Sequence, residues 1–161
     1  MARDYGYGEL KDRTKCIDLL RQAADLGCSE AQYQLGQFHY TGTMGPAQWG
    51  FEQNKEEALK YWGKAAEGGH ILAQYNLGCD EDKNGNDVAA MRRYRLSASG
   101  GLKKSMNSLI CCFKDGDLHH GDLAESLQAY YRSRSEMKSE GRDQHIAYMK
   151  RKGEYEEEYD M

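Results

Sequence analysis

Three stretches of this chain can be laid over one another residue by residue: QAADLGCSEAQYQLG from Gln22, KAAEGGHILAQYNLG from Lys64 and LSASGGLKKSMNSLI from Leu96. The first two start 42 residues apart and the second and third 32 apart, so the first unit carries an insertion, between Gly42 and Asn54. A repeat of this length constrains the fold more than any single motif. One unit is too small to bury its own apolar face, so units must stack and share a core.

The equivalent positions make physical sense as helices. Ala23, Ala65 and Ser97 coincide, as do Ala24, Ala66 and Ala98, and Ala31, Ala73 and Ser105. Small side chains at fixed places let neighbouring helices approach closely. Leu20, Trp62 and Tyr94 repeat as large knobs one turn earlier, and Leu35, Leu77 and Leu109 repeat as core leucines. Ala58, Trp62, Ala65 and Ala66 recur at helical spacing. Gly27, Gly69 and Gly101 follow helical runs, where a left-handed residue ends a helix. Asn54 and Ser29 are expected to cap helices, and Asn84-Gly85-Asn86 marks a tight turn. The single proline, Pro46, sits in the insertion and interrupts no helix. These signals predict helices over about 11–26, 29–41, 54–68, 71–83, 87–99, 102–114 and 120–139.

At this point the residues resemble a known family. The stretch KEEALKYWGKAAEGGHILAQYNLG from Lys55 is similar to the Sel1-like repeat, a relative of the tetratricopeptide repeat. Ala58, Trp62, Ala65-Ala66-Glu67, Gly69-His70, Ala73 and Leu77-Gly78 carry that resemblance. The first unit keeps Ala31, Leu35, Gly36 and Gly42, while the third departs with Ile110 in place of glycine. The resemblance implies an all-α fold, a right-handed α-solenoid of antiparallel helix pairs with a concave side. It also implies an adaptor or scaffold role. The expected organisation is a flexible N-terminus over 1–10, a half-repeat over 11–28, and repeats over about 29–70, 71–101 and 102–119. A C-terminal capping helix over 120–140 and a polar, acidic-ended tail over 141–161 complete it. Leu127 falls at the Tyr94 place, and Tyr130 and Tyr131 fall where Ser97 and Ala98 stand, so large residues there block a further helix pair.

Composition narrows the chemistry. A net charge of −4, from 22 basic and 26 acidic residues, gives no reason to expect nucleic acid. No apolar run is long enough for a membrane span, and the start lacks a signal peptide, so a cytoplasmic or nuclear protein is expected. The five cysteines (Cys16, Cys28, Cys79, Cys111 and Cys112) form no metal or disulfide pattern. His119-His120 and Asp115-Gly116-Asp117 read as solvated turns rather than metal sites. A hydrolase would need Cys79 or Cys111 beside His70 or His119. No cofactor, metal or small-molecule substrate is expected.

The expected function is a scaffold that binds a protein or peptide in a concave groove. The alternative is a structural fragment of a longer repeat protein, because the first helix matches only the second half of a unit. If the first helix of each pair lines the groove, the positions two before and two or five after each core leucine face it. These are Tyr33, Gln37 and Tyr40, then Tyr75, Cys79 and Asp82, then Asn107, Cys111 and Lys114.

Overall fold

In the computed structural model, residues 5–44, 49–50 and 52–152 are described. Among them the chain forms seven helices and one short hairpin. The helices are α1 (Tyr5–Asp25), α2 (Ser29–Thr41), α3 (Lys55–Glu67), α4 (Ile71–Lys83), α5 (Asp87–Ser99), α6 (Lys103–Asp115) and α7 (His120–Lys152). The fold is all-α, of the helix-pair repeat class. The chain divides into two compact units, residues 1–97 and 98–161. That division falls near the end of α5.

The repeat signals become contacts in the first unit. Ala24, Ala31 and Leu35 form one buried cluster, with Leu20, Phe38 and Tyr61 packed against it. Trp62, Ala65, Ala66, Ala73 and Leu77 form the next, joined by Tyr33 and Leu59. Helices α2 and α3 run antiparallel. The start of α3 meets the end of α2 through Asn54 N–H donating to the His39 carbonyl at 2.8 Å. A Cβ on Gly68, at the other end of α3, would lie 3.0 Å from Ser29.

Glycine decides how closely the pairs approach. A Cβ added to Gly36 would stand 2.5 Å from Trp62 Nε1, and one on Gly78 would stand 2.8 Å from the Tyr94 ring. Each large knob therefore lies on bare backbone of the preceding helix. In the second unit this size pattern inverts, with Ile110 at the glycine place and Leu127 at the aromatic place, both partly buried. Gly27, Gly69 and Gly101 have φ of 88°, 82° and 85°, the left-handed geometry expected where each helix stops.

Several boundaries differ from expectation. Helix α1 begins at Tyr5, inside the segment expected to be a flexible N-terminus. Helix α7 continues to Lys152, well into the expected tail, because residues 141–152 contain good helix formers and no proline. The acidic end, residues 153–161, lies outside the described residues. Ser29 is the first residue of α2, and Cys28 occupies the cap position without a side-chain bond. Asn54 does cap α3, its side chain accepting from Glu57 N–H at 3.1 Å.

The insertion is not strand-free. Thr43–Met44 (β1) pairs antiparallel with Trp49–Gly50 (β2), Thr43 opposite Gly50 and Met44 opposite Trp49. The chain leaves α2 through Gly42 at φ 69° and returns beside the same helix end. There the Gln53 amide donates to the Tyr40 carbonyl at 3.0 Å. Helix-end carbonyls that lack intrahelical partners thus close the base of the loop. Pro46 lies outside the described residues.

Candidate functional site

A cleft of about 310 Å³ opens in the first unit between the second half of α2 and the second half of α4, with Trp62 of α3 behind it. It is built by helical spacing. Gln37, Tyr40 and Thr41 lie on one face of α2, and Asn76, Cys79, Asp80 and Lys83 on one face of α4. Three of the residues expected in the groove, Gln37, Tyr40 and Cys79, therefore meet in one place.

Hydrogen bonds fix the walls. Asn76 donates from its amide to Gln37 Oε1 at 3.2 Å, linking α4 to α2. Burial pushes the Tyr33 phenol above its ordinary value, and the same Asn76 opposes the rise. Asp80, mostly shielded, pairs with Lys55 at 2.6 Å. Tyr40 is the exposed aromatic of the cleft, 37% accessible, with its ring tilted against Trp62 at 5.0 Å between centroids. Trp62 itself is 3% accessible, and its Nε1–H is buried without a hydrogen-bond partner. The cleft thus offers a half-exposed aromatic wall, amide groups, a thiol and an ammonium group, the mixture that protein interfaces use.

The other expected groove residues sit elsewhere. Tyr33 is half-buried, stacked on His70 at 4.3 Å. Tyr75 is half-buried against Tyr94, with ring centroids 5.8 Å apart. Asp82 accepts from the Tyr94 hydroxyl at 3.2 Å, and the Cys79 thiol also acts on that phenol. Burial, then these two groups, raise the Tyr94 phenol strongly. The Asp82–Tyr94 bond is the repeat equivalent of the Tyr40–Trp62 contact, a ring pair replaced by an O–H···O pair. Of the three tyrosines expected on one path, Tyr40 alone lines the cleft. Asn107, Cys111 and Lys114 are exposed on α6, in the second unit.

Three residues, His70, Gln32 and Gln74, hold the unit together in roles that the sequence reading did not assign to them. His70 caps α4, its Nδ1 accepting from Ala73 N–H at 3.3 Å, while Nε2 meets Glu30 Oε2 of α2 at 3.0 Å. Gln34, then His70, hold the Glu30 carboxyl below its ordinary range. Gln32 donates to the Ala24 carbonyl at 2.9 Å, and its repeat equivalent Gln74 donates to the Ala66 carbonyl at 3.0 Å. The recurrence of glutamine after Ala31 and Ala73 was the available signal.

Among the described residues, no three His, Cys, Asp or Glu side chains gather as metal ligands, and all five cysteines are free thiols. No helix among them is long and apolar enough to cross a membrane. No solved structure matches the chain at a significant level. A family model described as Sel1 repeat matches residues 1–28, 29–70 and 71–101.

Proposed function

Because this chain belongs to the Sel1 repeat family, we propose that it works as a scaffold that holds a protein or peptide in the α2–α4 cleft. Sel1 repeats are commonly protein-interaction scaffolds and typically non-enzymatic. The observation that carries the choice of site is the convergence of Gln37, Tyr40 and Cys79 with Asn76 and Lys83 in front of Trp62. Tyr40 supplies a rigid ring with a polar tip, the type of side chain that dominates interface energetics. The Gln37–Asn76 amide pair offers donors and acceptors for a bound backbone, and Lys83 offers an anchor for a carboxylate. The face presented by α2 and α4 is, in this reading, the concave side of the solenoid.

Photo-crosslinking tests it. A benzophenone amino acid at Gln37 should capture a defined protein, and the same group at Lys60, on the outer face of α3, should not. Tyr40→Ala should weaken binding of the captured protein by about tenfold or more in calorimetry while leaving the helical spectrum intact. Equal capture at both positions, or full affinity in the folded Tyr40→Ala protein, would remove the cleft from consideration.

A further inference from the structure

The two stacked layers of the first unit differ also where α2 meets α3 and α4 meets α5. In the first, His39 of α2 and Tyr61 of α3 stack with ring centroids 5.6 Å apart, and Tyr61 packs on the buried Ala24–Leu35 cluster. Lys64 lies over the Tyr61 ring at 5.8 Å. The repeat offsets carry His39 onto Glu81, Tyr61 onto Arg93 and Lys64 onto Leu96. Where the first layer has an aromatic plug, the second has a cleft of about 800 Å³ whose lining includes Glu81, Asp87, Val88, Arg92, Arg93 and Leu96.

The surface around this cleft also departs from its counterpart. Glu56, Lys60 and Lys64 form an exposed charged stripe on α3, as an outer helix face ordinarily does. The equivalent stripe on α5 is Val88, Arg92 and Leu96, with Val88 80% and Leu96 52% accessible. Two exposed apolar side chains thus flank a guanidinium at one-turn spacing. Glu81 is engaged by the Asn86 amide at 2.7 Å, and Arg93 is held by Gln74 at 3.2 Å. Arg92 is exposed, and no carboxylate pairs with it among the described residues.

We propose that the α4–α5 cleft is a second docking site, which takes an aromatic side chain flanked by a carboxylate from a partner protein. The aromatic ring would enter the space that Tyr61 fills in the preceding layer, between the tethered Arg93 and the apolar pair Val88 and Leu96. Arginine planes stack on aromatic faces. The neighbouring carboxylate would pair with Arg92. Charge and shape thus select the same kind of segment, and the site is independent of the α2–α4 cleft.

The probe is a fluorescein-labelled peptide, Gly-Ser-Glu-Trp-Glu-Ser-Gly, titrated with the full chain by fluorescence anisotropy. Saturable binding is expected. It should weaken about tenfold when the peptide tryptophan becomes alanine, and by as much with Arg92→Glu. Glu81→His with Arg93→Tyr installs the first layer's plug and should abolish binding in a folded protein. Val88→Glu, at a position open to solvent, should weaken binding without touching the core. Tyr40→Ala should leave peptide binding unchanged, which separates this site from the α2–α4 cleft. The proposal is overturned if the peptide does not saturate, or if the plugged variant and Val88→Glu both bind it normally. It is also overturned if a uridine oligonucleotide binds more tightly than the peptide and Arg92→Glu removes that binding.

Discussion

Replacing Gly36 with alanine tests the packing at its tightest point. Alanine in a helix interior is favoured over glycine by about 1 kcal/mol. Gly36 lies inside α2 with no left-handed backbone to protect, so propensity alone makes the change stabilising. Packing opposes it. The new Cβ would sit 2.5 Å from Trp62 Nε1, against an ordinary carbon contact of roughly 3.5–4.0 Å, so the indole would have to retreat by about 1 Å. Forcing a methyl into a packed core costs about 1–3 kcal/mol, which leaves a net loss of roughly 0–2 kcal/mol once propensity is subtracted. Gly63, in α3, is the control, because a Cβ there meets nothing within 4 Å. Gly63→Ala should therefore gain about 0.5–1 kcal/mol. Gly36→Ala should fall below Gly63→Ala by about 1–3 kcal/mol in urea unfolding, with Gly78→Ala between them. The deficit should shrink when Trp62→Leu accompanies Gly36→Ala, since the pair then couples. Equal stability of Gly36→Ala and Gly63→Ala would refute the knob-on-glycine packing.

Other expectations follow from the same geometry. Trp62→Ala should cost about 3–5 kcal/mol in chemical denaturation, as expected for a buried aromatic. Tyr130, buried in the second unit, should cost a comparable amount on truncation to alanine, while Tyr131→Ala, at 65% accessibility, should change stability by less than about 0.5 kcal/mol. His70→Ala removes the α4 cap and should cost about 0.5–2 kcal/mol, read as the shift in urea midpoint. The Glu30 carboxyl is held below its ordinary range by Gln34 and His70. Its contribution is therefore complete above the unfolded carboxylate pKa and is lost as pH falls through the folded value. Glu30→Gln should accordingly be slightly less stable at neutral pH and indistinguishable from wild type in acid.

How much of this was legible in the sequence depended on whether a residue acts within its own unit or against the next. The small pairs, the core leucines and the helix-ending glycines recur at the repeat offset because each makes the same local contact, and all three sets read correctly. Ser29 misled because a good capping side chain stood one residue inside the true start, while His70 capped α4 through a ring nitrogen. Tyr33 and Tyr75 share the face of their helices with Gln37 and Cys79, and face alone suggested exposure. Helical spacing cannot show that His70 and Tyr94 arrive to cover those rings, because these residues come from loops and helices of the following layer. The cleft at Glu81 and Arg93 was likewise hidden, since it arises from a plug that the first layer has and the second lacks.

The central claim is that the α2–α4 cleft receives a protein partner. Hydrogen–deuterium exchange of the full chain, with and without the protein captured from Gln37, tests it most directly. Exchange should slow over residues 37–41 and 76–83 in the complex and stay unchanged along the outer face of α3. Protection confined to α3, α6 or α7, with the cleft segments exchanging as in the free protein, would contradict it.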